Sequence, residues 1–135
     1  MRTLIAILTA LMLVAAPVVA GDALDARSKG YAAYVVRDYA KAAHWIRIAA
    51  RMGDARAQES LGHYYEFGVG LPKDYAQAFH WYHMAAKQGY QQAHVNLGTM
   101  YARGKGVSEN NVRAYAWYRR ASHAWCGVRH RPGRS

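Results

Sequence analysis

Apolar side chains keep two rhythms along this chain. Over short stretches they recur at i, i+3, i+4 and i+7, as in Ala78, Trp81, Tyr82 and Ala85, which lays one apolar stripe along a helix. Over longer stretches the stripes themselves recur every 36 residues. Residues 57–88 laid over 93–124 agree at Ala57/Ala93, Leu61/Leu97, Gly62/Gly98, Tyr65/Tyr101, Gly68/Gly104, Gly70/Gly106, Ala78/Ala114, Trp81/Trp117, Tyr82/Tyr118 and Ala85/Ala121. The same shift sets DYAKAAHWIRIAARMG (38–53) over DYAQAFHWYHMAAKQG (74–89), matching Asp38/Asp74, Ala42/Ala78, His44/His80, Trp45/Trp81, Ala49/Ala85 and Gly53/Gly89. A fixed period of this size marks stacked supersecondary units.

Each unit reads as two helices. Asp38, Asp74 and Asn110 stand just before the second helix, where a side-chain oxygen can accept from the first free backbone N–H groups. Gly53 and Gly89 close that helix, since a left-handed residue is cheapest without a Cβ, and Arg51 and Lys87 oppose the negative end of its dipole. The first helix carries Leu61 and Tyr65, or Leu97 and Tyr101, on one face. Gly62 and Gly98 fall inside that helix at a cost of about 1 kcal/mol each against alanine, and close approach of the paired helix is the expected reason. Ala78 and Ala85 offer small surfaces for this approach, and Trp81 is expected to fill the larger gap. Ala114, Trp117 and Ala121 stand at the same repeat positions in the third copy and take the same structural role. The first unit is shorter: Gly30 lies eight residues before Asp38, whereas Gly62 lies twelve before Asp74. Together these features predict an all-α fold, an α/α solenoid of about three helix-turn-helix repeats at 22–53, 57–89 and 93–124.

The motif L-G-x-x-Y-x-x-G-x-G at 61–70 and 97–106, followed by D/N-x-x-x-A-x-x-W-x-x-x-A, resembles the Sel-1-like repeat family of the tetratricopeptide superfamily. The resemblance covers residues 22–124. It implies a solenoid whose curved surface binds another protein, as a scaffold or adaptor without catalysis of its own, and exported bacterial members of the family often work in the cell envelope or at a host interface. Cysteine-rich relatives linked to β-lactam or cell-wall chemistry carry a cysteine pair in each repeat. Here Cys126 is the only cysteine and no S-x-x-K run is present, so that activity is not carried over, and a cell-wall or β-lactam-interacting enzyme stands as the alternative to a scaffold.

Outside the repeats, residues 1–20 hold one charge, Arg2, and an apolar run from Leu4 to Ala16 broken only by Thr9. The run is short for a membrane span. Val18-Val19-Ala20 before Gly21 suits a signal peptidase, so a secretory signal cleaved after Ala20 is expected, with the mature chain at 21–135, periplasmic or secreted. The formal charge of +10 falls to +9 without Arg2. That charge favours weak attraction to anionic envelope surfaces and says nothing about fold. The ending WCGVRHRPGRS departs from the pattern: Trp125 stands where a closing glycine is expected, and 125–135 reads as a basic, disordered tail. Its arginines lack interleaved aromatics, and no specific nucleic acid is expected.

Reactive groups are weighed against the repeat. Gly68-Val69-Gly70 follows a helix rather than a strand, and its copy Gly104-Lys105-Gly106 ties it to architecture rather than to phosphate. His80 and His83 share a helix face, but the third copy has Ala116 and Arg119 there, and no further ligands lie at metal spacing. Ser28, Ser60 and Ser108 lack the context of a nucleophile. No cofactor and no metal are therefore expected. The candidate protein-binding groove is drawn from first-helix positions that vary between copies: Gln58, Glu59, His63 and Glu66, then His94, Val95, Thr99 and Ala102.

Overall fold

Capping chemistry divides the chain where the 36-residue period says it should. The computed structural model describes residues 20–129, and these form six helices: α1 Ala20–Val35, α2 Tyr39–Arg51, α3 Ala55–Phe67, α4 Tyr75–Lys87, α5 Gln91–Arg103 and α6 Asn111–Arg129. There is no strand among the described residues. Asp38, Asp74 and Asn110 accept from the backbone N–H of Lys41, Gln77 and Arg113 at 3.2, 3.1 and 2.9 Å. Gly53 and Gly89 follow α2 and α4 with φ of 90° and 81°, the left-handed region their position requires. Asp54 does the same capping work for α3, accepting from Ala57 at 2.8 Å, and the Arg27 guanidinium holds its other oxygen at 2.8 Å.

Each helix packs chiefly on its neighbours in sequence, so the chain builds α1/α2, α3/α4 and α5/α6 pairs stacked in order. The core is a row of small residues from the second helices, Ala42, Ala49, Ala78 and Ala85, interleaved with Ile46, Leu61, Tyr82, Leu97 and Met100, all essentially without exposure. Small side chains let paired helices approach, and the larger ones fill what remains.

The third copy departs from this pattern. Ala114 and Ala121 are buried, as their repeat positions predict, but at 3% and 5% exposure against none for Ala78 and Ala85. They join neither of the two clusters of core residues, which are built from the first two pairs and α5. Ala42, Ala49, Ala78 and Ala85 are enclosed by their own partner helix and by the next pair. Among the described helices α6 packs chiefly on α5, so Ala114 and Ala121 serve mainly the α5/α6 contact.

The helix-interior glycines have the reason predicted for them, but with a different partner. A Cβ on Gly62 would lie 2.6 Å from the Tyr82 ring, one on Gly98 2.6 Å from the Tyr118 ring, and one on Gly30 2.7 Å from Ile46. Position 46/82/118, not Trp81, therefore fills the gap between the paired helices. Trp45, Trp81 and Trp117 are only half-buried along the margins of the pairs. The tryptophan sits one residue, about 100° of helix, away from the direction that meets the glycine.

The loops also do more than turn. Gly68 and Gly104 end α3 and α5 at φ of 68° and 62° and donate to the Tyr64 and Met100 carbonyls. Two residues later, a Cβ on Gly70 would overlap the Tyr39 carbonyl, and one on Gly106 would meet Tyr75 at 2.9 Å. Tyr39 and Tyr75 open the second helix of the preceding pair, so these loops are where one repeat rests on the last. Backbone against backbone leaves no room there for a phosphate.

At the far end the last helix runs past residue 124, into the segment expected to be a disordered tail. With Trp125 in place of the closing glycine, no left-handed residue stops the helix, and α6 runs on to Arg129 over 19 residues, against 13 in α4. Residues 125–129 thus continue the last helix. The signal expected at 1–20, apart from Ala20, and the rest of the expected tail at 130–135 lie outside the described residues. No described helix is long and apolar enough to cross a membrane.

The two glycine contacts predict opposite signs for one substitution. In Gly62→Ala the methyl meets a fully buried ring that has nowhere to move, and overpacking of about 1–3 kcal/mol exceeds the gain of about 1 kcal/mol in helix propensity. In Gly98→Ala the opposing Tyr118 is 37% exposed and can swing outward. Urea denaturation should therefore find the first variant destabilised and the second neutral or slightly stabilised.

Candidate functional site

Aligning the repeats on Gly30, Gly62 and Gly98 shows which first-helix side chains share a face. Arg27, Glu59 and Val95 are equivalent, as are Ser28, Ser60 and Asn96, then Tyr31, His63 and Thr99, and finally Tyr34, Glu66 and Ala102. Two adjoining cavities open along this face. One, of about 310 Å³, is lined by Tyr31, Tyr34, Glu59, Ser60, His63 and Tyr64. The other, of about 340 Å³, runs from Glu59 and His63 past Phe67, Gln92, Asn96 and Thr99 to Arg103. Glu59 and His63 belong to both, so the two form one groove across α1, α3 and α5.

Of the eight expected groove residues, Glu59, His63 and Thr99 stand in it with surface to offer. Glu66 contributes to its floor but is 7% exposed and already engaged. The Tyr82 hydroxyl donates to Oε2 at 2.7 Å, and Lys105 Nζ donates to Oε1 at 3.0 Å. Val95 and Ala102 are half-buried on α5 and line neither cavity.

Gln58 and His94 are corrections. They occupy one repeat position, next to the fully buried Ala57 and Ala93, and that position turns into the stack rather than into the groove. Gln58 Nε2 donates to the Ala50 carbonyl at 3.2 Å, and its Oε1 accepts from Gln88 at 2.8 Å, joining α3 to the ends of α2 and α4. His94 Nδ1 donates to the Tyr90 carbonyl at 3.1 Å, and its ring lies 5.8 Å from that of Trp117. Both are structural side chains.

The groove also contains residues not anticipated: Tyr31, Tyr34, Ser60, Phe67, Asn96 and Arg103. The Tyr31 hydroxyl pairs with Ser60 Oγ at 3.2 Å, and the rings of Tyr34 and Tyr64 stack at 6.0 Å, with Tyr39 edge-on to Tyr34 at 5.4 Å. Asn96 reaches across from the next repeat to donate to Glu59 Oε1 at 2.9 Å. The signal was Gly30: once the short first unit is set on it, α1 falls into register and its two tyrosines line up with His63 and Glu66.

Burial sets the electrostatics. It pushes the Glu59 carboxyl up, opposed by the Asn96 hydrogen bond and by His63 and Arg56. It also raises the Tyr64 phenol to about 12, helped by Tyr34 and Tyr31. Tyr82 is driven well above the ordinary phenol range by burial and then by its bond to Glu66, so it remains a hydrogen-bond donor. His83 is lowered by burial, with Lys87, His80 and Arg120 acting in the same direction.

The side chains weighed for chemistry have structural neighbours. His83 stacks near Phe79 at 6.2 Å and His80 meets Trp81 edge-on at 5.3 Å. Among the described residues no three His, Cys, Asp or Glu gather at metal-binding distance. Ser28 Oγ donates to the Leu24 carbonyl, and Ser60 is paired with Tyr31. The face as built offers hydrogen bonds, aromatic rings, one carboxylate and one guanidinium, which is equipment for recognition.

Comparison with known proteins gives the same architecture. The family model described as Sel1 repeat matches residues 25–54, 55–90 and 91–124. Among solved structures, a protective antigen present in uropathogenic Escherichia coli strains and displaying an SLR fold is 38% identical, with a TM-score of 0.72. The match covers 76% of this chain and 22% of that one. A Sel1 repeat protein from Oxalobacter formigenes is 31% identical at a TM-score of 0.62, over 72% of this chain and 30% of that one. Helicobacter pylori cysteine rich protein B is 26% identical at a TM-score of 0.59, over 65% of this chain and 69% of that one. The chain thus spans under a third of the length of the first two. A search of curated protein sequences finds no match.

Glu59 predicts a pH signature. Its folded-state pKa is raised, so its charged form costs stability at neutral pH, and that cost is relieved as pH falls through the raised value toward the ordinary 4.5. Glu59→Gln, which keeps an acceptor for Asn96, should therefore melt above the parent at about pH 7, with the difference closing near pH 4. Thermal melts across that range check it.

Proposed function

The chain belongs to the Sel1 repeat family, and on that footing we propose that it is a binding scaffold that holds a segment of another protein along the first-helix groove. The observation that carries this reading is the groove itself: three rigid helix pairs place Tyr31, Tyr34, Glu59, His63, Asn96, Thr99 and Arg103 on one continuous face. A preformed groove loses little conformational freedom when it binds, so modest contacts suffice for affinity. Its polar groups are spaced along helices at turn intervals, which suits an extended chain lying across them. No step of catalysis is assigned to it.

The amino-terminal segment supports a location for this scaffold. We propose that residues 1–20 direct export, that cleavage follows Ala20, and that the mature chain works in the periplasm or beyond, within the cell envelope. The basic surface fits such a place, where anionic polymers and lipids surround it.

A photocrosslinking residue in place of His63 or Thr99 should trap the same partner from cells, while one in place of the exposed Gln77 on α4 should not. Equal trapping at all three positions, or none at any, would exclude the groove. For export, the mature protein recovered from the envelope fraction should begin at Gly21 by N-terminal sequencing, and a cytoplasmic chain still beginning at Met1 would refute it.

A further inference from the structure

We infer that the cleft between α1 and α3 receives a positively charged side chain, an arginine or a lysine, carried by an extended segment of the partner. The inference rests on the protein-binding reading of the groove and names the chemistry of one pocket in it.

Three aromatic rings form the pocket. Tyr34 and Tyr64 lie nearly parallel, 13° apart at 6.0 Å, and the Tyr31 hydroxyl is fixed on Ser60. Tyr64 is 4% exposed and cannot turn away, whereas Tyr34 is 43% exposed and leaves the mouth open. Ring faces are electrically negative and attract a cation held against them. The volume, about 310 Å³, is at the small end for ligand pockets and suits one long side chain.

The carboxylate on its wall is the second and independent sign. Three acidic side chains of the repeats are at least half-buried: Asp54, Glu59 and Glu66. Arg27 holds Asp54 at 2.8 Å and Lys105 holds Glu66 at 3.0 Å. Glu59 has Asn96 on Oε1, and among the described residues no lysine or arginine stands within ion-pair distance of it, Arg56 and His63 acting on it only from farther off. A carboxylate removed from water without a cation is costly, and a ligand that supplies one recovers that cost. Asn96 pins the group in place beforehand.

Net charge makes the contrast sharper. The chain carries +10, so its surface at large repels cations, and attraction at this cleft has to be local. Beyond the cleft the groove continues past Gln92, Asn96 and Thr99, where Gln92 Nε2 donates to Asn96 Oδ1 at 3.1 Å and Thr99 Oγ1 to the Val95 carbonyl at 3.0 Å.

The test titrates the full chain with capped pentapeptides, Ala-Ala-X-Ala-Ala, where X is arginine, lysine, citrulline or glutamate, and follows backbone amide shifts. The arginine or lysine peptide should saturably shift Tyr34, Ser60 and Tyr64, and comparing the two says which cation is preferred. Citrulline, the neutral isostere of arginine, and glutamate should bind at least about tenfold more weakly, and Glu59→Gln should lose about the same factor. A thermal melt of Glu59→Gln no lower than the parent's at neutral pH, measured alongside, shows that its loss is not unfolding. Equal binding of citrulline and arginine, an unaltered Glu59→Gln, or shifts confined to α6 would each overturn the inference. Saturating shifts on raising the protein concentration alone would assign the cleft to a second copy and overturn it too. If cationic peptides fail while crosslinks at positions 63 and 99 persist, the groove stands and only the pocket chemistry falls.

Discussion

A helix surface carrying only a hydrogen atom, pressed against a buried ring, sets the spacing on which the rest of the molecule depends. Gly62 admits Tyr82 flat against α3, and because the ring lies there its hydroxyl reaches Glu66 at 2.7 Å. Glu66 is thereby fixed where Lys105, from the loop of the following repeat, can meet it at 3.0 Å. One glycine thus links the packing within a repeat to the packing between repeats. The ion pair is partly buried and would be a weak source of stability by itself. Here it is one corner of a satisfied network, and its value lies in fixing where the third repeat sits.

Register between repeats is held by similar pieces at each step. Gly70 lets a loop rest on the start of α2, and Gly106 does the same on α4. The loops close identically, with Asp74 N–H donating to the Tyr65 carbonyl at 2.8 Å and Asn110 N–H to the Tyr101 carbonyl at 2.9 Å. Stability in such an array is close to a sum of units and neighbour contacts. The His63 and Thr99 positions of the first-helix face lie outside these loop contacts, and their residues can differ from repeat to repeat without disturbing the loops.

Period and capping residues made the six helices legible, because both are local and repeat themselves. Direction around a helix was harder to read. Trp81 looked like the core residue since it recurs as Trp45 and Trp117, yet Tyr82 is the one buried against Gly62. Identity between copies also hides position in the stack: Ala114 and Ala121 match Ala78 and Ala85 letter for letter, yet lie outside the core clusters that hold the latter. Gln58 and Glu59 both vary between repeats, but one residue of helix turns the first into the stack and the second into the groove. Variation alone could not separate a side chain that welds repeats together from one that faces a partner. The shortened first unit hid Tyr31 and Tyr34, because a shift of 36 misplaces α1. The end of α6 is hidden for the opposite reason: a missing glycine removes a stop signal, and the helix continues by default.

What separates scaffold from recognition surface in this groove is whether a polar group already has its partner inside the chain. Glu66 and Glu59 are acidic side chains two turns apart on one helix, and burial bears on both. Glu66 has a phenol on one oxygen and an ammonium on the other, so its chemistry is complete and its role structural. Glu59 has a single amide from Asn96 and sits beside three tyrosines and His63, and among the described residues no lysine or arginine stands within ion-pair distance of it. Folding selects strongly against such a group unless something compensates it. Glu59 is held in place by a neighbour from another repeat and, among the described residues, carries no ion pair, and the proposed cation pocket rests on that difference from Glu66.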